Sequence, residues 1–174
     1  VGGQTLNPYG RLDFGTGGSS SGSGASVAAN YATVAVGSET SGSILSPSSA
    51  NSLVGLKPTT GSLSRSGVVP ISSTLDTVGP MGRSVADVVT LFNAMVGFDG
   101  EDRAMPRISD DLQLSIMETP IDNRRLGVLP VYSDNMQYQN ALRLFTQHGF
   151  DLQEVDFQNE RHPRFSEFLG AEMK

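Results

Sequence analysis

The sequence predicts an α/β fold in which helices cover a mixed or parallel sheet, and three observations carry that reading. An Ala-rich helix and a β-branched strand lie between two Gly/Ser-rich turns in the first 45 residues; a capped amphipathic helix spans 85–96; and a strand, helix, strand alternation fills the stretch from Arg125 onward.

Taken in order, residues 1–24 carry Asn7-Pro8, Tyr9-Gly10 and Gly17-Gly18 punctuators and read as an irregular surface loop. Ser23 is the expected N-cap of a helix over Ala25 to Tyr31, whose small side chains suit close packing on neighbouring backbone. Thr33 to Gly37 reads as a short buried strand, which leaves Ser43 just past a strand's carboxyl end, where ligands of α/β sheets bind. Pro47 to Leu53 suits one helical turn, and Leu53 to Lys57 is an apolar run closed by Pro58. Residues 60–82 alternate small apolar stretches with Gly-Ser, Val-Val-Pro and Gly-Pro turns, and read as a layer of loops. Ser84 caps the next element: Val85, Val88, Val89, Phe92 and Met95 recur at helical spacing, Asp87 lies in the first turn and Gly97 ends the run.

Asp99 to Asn123 is a polar connector of low periodicity. Beyond it, Leu126 to Leu129 reads as a strand, Asn135 to His148 as a helix with Ala141, Leu142 and Phe145 on one face and Gly149 behind it, and Asp151 to Phe157 as a second strand. The expected organisation is one partial domain: a core over 1–97, a connector over 98–124 and a βαβ-like segment over 125–174. The chain opens at Val1 without a Met, and Phe165 to Lys174 reads as a helix stopped partway, so an interior fragment is expected.

Composition narrows the function. The 174 residues are 37% hydrophobic with a formal charge of −6, and the ten Arg and two Lys form no basic stripe, which gives no support to nucleic acid or an anionic membrane as partner. No apolar run approaches the roughly 20 residues of a membrane span and no signal pattern opens the chain, so a cytoplasmic location is favoured. The absence of cysteine removes disulfides, thiolate catalysis and Cys-based zinc sites. A small ligand that is not strongly anionic is expected.

Ser19 and Ser43 each stand in a Gly/Ser-rich turn, Gly17-Gly18-Ser19-Ser20-Ser21-Gly22-Ser23-Gly24 and Gly37-Ser38-Glu39-Thr40-Ser41-Gly42-Ser43. Such loops are often mere connectors. A connector, however, is not usually followed by a cap, a helix, a strand and a second loop of the same character. Two hydroxyls returned to one end of a sheet, with bare main-chain N–H groups aimed at the same spot, have the geometry acyl transfer needs. The substring Gly18-Ser19-Ser20-Ser21-Gly22 also fits the G-x-S-x-G nucleophile elbow and would nominate Ser20. That elbow needs a strand directly before it and a downstream histidine, whereas residues 10–18 are loop and His148 and His162 sit in polar settings. No Ser-x-x-Lys pair, P-loop or GxGxxG fingerprint occurs.

The two turns, followed by Gly55-Leu56-Lys57-Pro58-Thr59 and Asp76-Thr77-Val78-Gly79-Pro80-Met81, resemble the amidase signature family from about Asn7 to Gly97. The resemblance implies hydrolysis of an amide C–N bond, with Ser43 as nucleophile, Ser19 as a bridging serine behind a cis peptide, and a general-base lysine upstream of Val1. It implies no metal or organic cofactor and a small-molecule amide as substrate. A hydroxyl is a weak nucleophile until a neighbour accepts its proton, so a serine relay to a neutral lysine suits the chemistry. Main-chain N–H groups of Thr40, Ser41, Gly42 and Ser43 are expected to form the oxyanion hole. Ser41 stands where the family commonly has glycine, Leu45 where it often has arginine, and Glu39 where aspartate is usual. Leu45 supplies no guanidinium for a substrate carboxylate, which favours neutral or extended amides. Lys57 matches a structural motif, and Asp76 and Arg83 read as loop braces. Two rivals remain: a non-catalytic binding module or amidotransferase-subunit fragment on the same scaffold, and an esterase using Ser20 with a histidine.

Overall fold

A computed structural model describes residues 3–103, 105, 112–116 and 124–155. The chain divides into two compact units, with the described residues 3–116 in the first and 124–155 in the second. His162, the expected helix after Phe165 and most of the polar connector lie outside the described residues.

The first unit is built on a three-stranded antiparallel sheet of order β1-β3-β2, from β1 (Ala35–Glu39), β2 (Val54–Gly55) and β3 (Thr77–Gly82). Helices α1 (Ser21–Ala28), α2 (Leu45–Ala50) and α3 (Val85–Met95) accompany it. Helix α1 begins before the expected Ser23 cap, because the Ser23 hydroxyl donates to Val36 O at 2.8 Å and ties the helix to β1. Strand β1 runs two residues later than the sequence suggests and carries Glu39 to its end.

Strand β3 corrects the expected loop layer. Thr77, Val78, Gly79, Pro80, Met81 and Gly82 are all buried, and the strand is central. Its turn-like composition has a packing cause: a Cβ on Gly79 would lie 2.1 Å from Leu56 O, so no side chain fits. Pro80 donates nothing to the ladder, but its carbonyl accepts from Leu56 N at 3.0 Å.

Helix α3 forms as its pattern predicts. Ser84 Oγ accepts from Asp87 N, and the Asp87 carboxylate accepts from Ser84 N, a reciprocal capping box. Val88 and Phe92 turn inward, where Phe92 joins Leu63 and Val78 in a core flanked by Leu56, Val68 and Met95. Asn93 exchanges two hydrogen bonds with the main chain of Leu114 and so fastens 112–116 to the helix.

The second unit pairs β4 (Arg125–Val128) with β5 (Asp151–Glu154) in parallel, through α4 (Met136–Gln147). This is the expected βαβ arrangement. Asn135 caps α4 by accepting from Tyr138 N, and Tyr138 Oη accepts from Leu129 N. Both pairing directions therefore occur in one chain, in keeping with an α/β class. Among the described residues no helix is long and apolar enough to cross a membrane.

Candidate active site

The site starts from the turn that follows β1. Glu39, 4% exposed, folds its carboxylate back over that turn: Oε1 accepts from Gly42 N at 2.7 Å, and Oε2 from Ile44 N at 2.8 Å and Leu45 N at 3.0 Å. The last two N–H groups open α2 and have no partner within the helix, so the carboxylate caps it. Three donors on one buried acid hold Ser43 in a fixed frame.

Ile44 anchors the same turn from below. It is fully buried, and a Cβ placed on Gly37, Gly55 or Gly79 would come within 3.1, 3.1 and 3.0 Å of its side chain. These glycines belong to β1, β2 and β3, one each, so three positions without a side chain of their own cross the sheet to receive the residue after Ser43, with Met81, Ser48 and Pro58 beside them.

Above the sheet, Ser43 is half-buried and lines a cavity of ≈ 20 Å³ with Ser38, Thr40, Val69, Ile71 and Asp76. That is room for one water molecule. Among the described residues the main-chain N–H groups of Thr40, Ser41 and Ser43 have no hydrogen-bond partner. Gly42 departs from expectation, because its N–H is the one Glu39 Oε1 takes.

The loop that carries Ser19 is held by two buried amides. Asn51, fully buried, donates to Thr16 O at 2.9 Å and to Pro47 O at 2.8 Å; Asn7, 1% exposed, donates to Gly15 O and Ala50 O and accepts from Tyr9 N. Gly17 adopts φ +63°, and a Cβ there would lie 2.6 Å from Pro47 N, so the loop presses directly on α2. The Gly18–Ser19 peptide is cis. The next amide, Ser20 N, donates to Ser43 O at 3.2 Å, which brings the two serine loops together through main chain. Ser19 is exposed, and among the described residues its hydroxyl makes no hydrogen bond to that of Ser43.

Ser20 is engaged elsewhere. Its hydroxyl donates to Ser38 O and accepts from Ser38 N, both at 3.1 Å, a double tie to β1. Among the described residues no strand precedes it, and His148 sits at the end of α4 in the second unit. The nucleophile-elbow arrangement is thus not formed there. Lys57 is exposed beyond β2 and does not line the Ser43 cavity.

Asp76 braces loops, as expected. Its Oδ1 accepts from Thr40 Oγ1 at 2.5 Å, while Oδ2 accepts from Ile71 N at 2.7 Å and Ser72 N at 2.9 Å. Burial pushes the carboxyl's pKa up, but the Thr40 hydroxyl, the two N–H groups and the Arg65 guanidinium outweigh burial and hold it below the usual carboxylate value. Arg65 itself is clamped by Asp102, Nε to Oδ2 at 3.1 Å, and donates to Ser73 O. Arg83 donates to Val27 O and Asn30 Oδ1. Sequence reasoning missed Asn7, Asn51 and the Thr40–Asp76 link, since polar residues inside Ser/Pro/Asn-rich stretches look like ordinary turn formers.

A half-buried serine thus stands in a carboxylate-braced turn beside main-chain N–H groups without a partner, on an α/β scaffold. The chain belongs to the amidase family: the family model described as Amidase matches residues 1–165. It is 43% identical over 140 residues to a probable amidase of Arabidopsis thaliana, covering 78% of this chain and 27% of the relative. It is 34% identical over 175 residues to a glutamyl-tRNA(Gln) amidotransferase subunit from Nitratiruptor, covering 97% and 39%. Among solved structures, the native peptide amidase of Stenotrophomonas maltophilia superposes with a TM-score of 0.74 at 38% identity, over 98% of this chain and 36% of that one. The chain therefore spans only between a quarter and two-fifths of the length of these relatives.

Proposed function

We propose that these residues form the serine portion of a site that hydrolyses a carbon–nitrogen amide bond. The observation that carries the reading is Ser43 in a cavity beside three unpaired main-chain N–H groups, with the Ser19–Ser20 segment joined to its carbonyl. Ser43 Oγ attacks the amide carbonyl carbon and passes its proton to Ser19, which hands its own to a neutral lysine outside residues 1–174. The carbonyl oxygen becomes an oxyanion held by the N–H groups of Thr40, Ser41 and Ser43, each donor contributing about 3 kcal/mol in the transition state. The C–N bond breaks as the amine takes the proton back, leaving an acyl ester on Ser43. Water then attacks that ester by the same relay, and the acid departs.

Val69 and Ile71 line the cavity, and the exposed Leu45 follows Ser43 by two residues, so these three positions bring no guanidinium, which supports neutral amides as substrates. In the full-length protein, Ser43→Ala abolishes amide cleavage and labelling by a fluorophosphonate while the fold persists; retained turnover would remove Ser43 from its role. The isolated 174 residues are expected to be inactive, since the proton acceptor lies elsewhere. The likeness to the glutamyl-tRNA(Gln) amidotransferase relative favours a second reading, in which the same cleavage serves an assembly that passes the nitrogen to an acceptor. Turnover of simple amides by the protein without partners separates the two.

A further inference from the structure

We propose that Asp76 is a positioning residue that sets the depth of the acyl subsite at Ser43, by tying the nucleophile's turn to a thin wall that separates this subsite from a second cleft. The inference rests on the amide-hydrolysis reading and adds to it what decides the size of acyl group accepted.

The observations are geometric. Asp76 and Val68 line both the ≈ 20 Å³ cavity at Ser43 and a larger cleft of ≈ 320 Å³. The larger cleft is completed by Arg65, Pro70, Ser73 and Glu101, among others, and does not include Ser43. One segment of chain, Val68 to Ser72, therefore stands between a space that holds a single water and a space sixteen times larger (320 against 20). Val69 is 89% exposed and Ile71 43% exposed, so packing contributes little to the middle of the segment, whereas Val68 at one end packs on the Leu63, Val78 and Phe92 core and Ser72 at the other is fully buried. Polar ties complete the hold: Ile71 N and Ser72 N both donate to Asp76 Oδ2, and the other oxygen of the same carboxylate takes Thr40 Oγ1 from the anion-binding turn.

The consequence has a direction. Deleting the carboxylate releases Ile71 N and Ser72 N, which leaves the wall held at its ends by Val68 in the core and by the bond from Asp76 N to Ser72 O, while its middle has open space behind it into which to retreat. The subsite deepens, and longer acyl groups gain relative to short ones. An asparagine, by contrast, can preserve the arrangement: its oxygen accepts from Ile71 N and Ser72 N, and its amide donates to a Thr40 hydroxyl turned to accept. Asp76→Asn is thus a rescue for Asp76→Ala.

The test uses the full-length protein with acetyl and hexanoyl p-nitroanilides, reading the ratio of their kcat/KM values. In Asp76→Ala the hexanoyl-to-acetyl ratio rises about tenfold, the usual scale for an apolar subsite that gains or loses a few methylenes, and Asp76→Asn returns it to the wild-type value. A loss shared equally by both substrates, with the ratio unmoved, overturns the proposal and leaves Asp76 a stabilising residue alone. Should Asp76→Ala fail to fold, Val68→Ala thins the same wall without touching the carboxylate and must raise the ratio. Hydrogen exchange at the Ile71 and Ser72 amides gives a readout independent of turnover: exchange quickens in Asp76→Ala and is restored in Asp76→Asn, and unchanged exchange also overturns the proposal. A wild-type protein that cleaves neither anilide would count against the amide-hydrolysis reading, while the exchange result would still decide the role of Asp76.

Discussion

Replacing Ile44 by alanine tests whether the glycine socket seats Ser43, the proposed nucleophile. The side chain is fully buried and meets positions 37, 55 and 79 on all three strands of the first unit's sheet, so three carbon atoms vanish from a place walled largely by main chain, with Met81, Ser48 and Pro58 the side chains beside it. The lost transfer free energy is about 2.4 kcal/mol for three carbons, and a cavity that its neighbours fill only in part adds to it, which places the expected cost at about 3–4 kcal/mol. Urea denaturation of the full-length protein reads this as a fall in midpoint at constant m-value. The rate of fluorophosphonate labelling at Ser43 should fall in parallel under native conditions, because the frame of the turn loosens while the Ser43 hydroxyl is still present. A cost below about 1 kcal/mol would refute the socket argument, since that is the range of a methyl group on a yielding surface. An unchanged labelling rate with the full loss of stability would refute the link from socket to nucleophile.

Other outcomes follow from the same geometry. Glu39→Gln turns an amide NH2 toward either Gly42 N–H or the pair at Ile44 and Leu45, so chemical denaturation should show a loss of about 2 kcal/mol, that of a charge-assisted bond replaced by opposed donors. Ser20→Ala removes both ties to Ser38 and should cost about 1–2 kcal/mol in stability while amide turnover in the full-length protein stays within a few-fold; collapse of turnover with Ser43 intact would revive the esterase alternative. Acid pH offers a check on Asp76. Its folded-state pKa lies below the ordinary 3.8, so its contribution to stability is complete above that value and is lost as pH falls through the lower folded value. Urea midpoints measured from neutral pH downward should therefore show no slope from this group until below about pH 4, and Asp76→Asn should flatten part of the acid limb.

The elements that were legible in the sequence are those whose signals are local. Helix α3 announced itself through Ser84, Asp87 and an inward face of Val88 and Phe92, and the β4-α4-β5 unit through its alternation and the glycine at 149. Strand β3 was hidden for the opposite reason. Its position at the centre of the sheet, with Leu56 O passing over Gly79 and Ile44 against it, demands residues that elsewhere make turns. At the site, the Gly/Ser-rich turns pointed to Ser19 and Ser43. What could not be read was which hydroxyls and N–H groups are already bonded: Ser20 to Ser38, Gly42 to Glu39, and the buried amides of Asn7 and Asn51 to the carbonyls of Gly15, Ala50 and Thr16, 8 to 43 residues away. Apart from the local Gly42 to Glu39 bond, those pairings depend on contacts between segments far apart in the chain, and single residues carry no mark of them.

The strap between the two serine loops runs from the Ser20 amide to the Ser43 carbonyl and involves no side-chain atom of residue 43. On the proposed function, a protein stripped of that hydroxyl therefore keeps its mouth formed, with donors in place and nothing to cut with. Immobilised in that state, it becomes bait for fishing the uncleaved natural compound out of a cell extract.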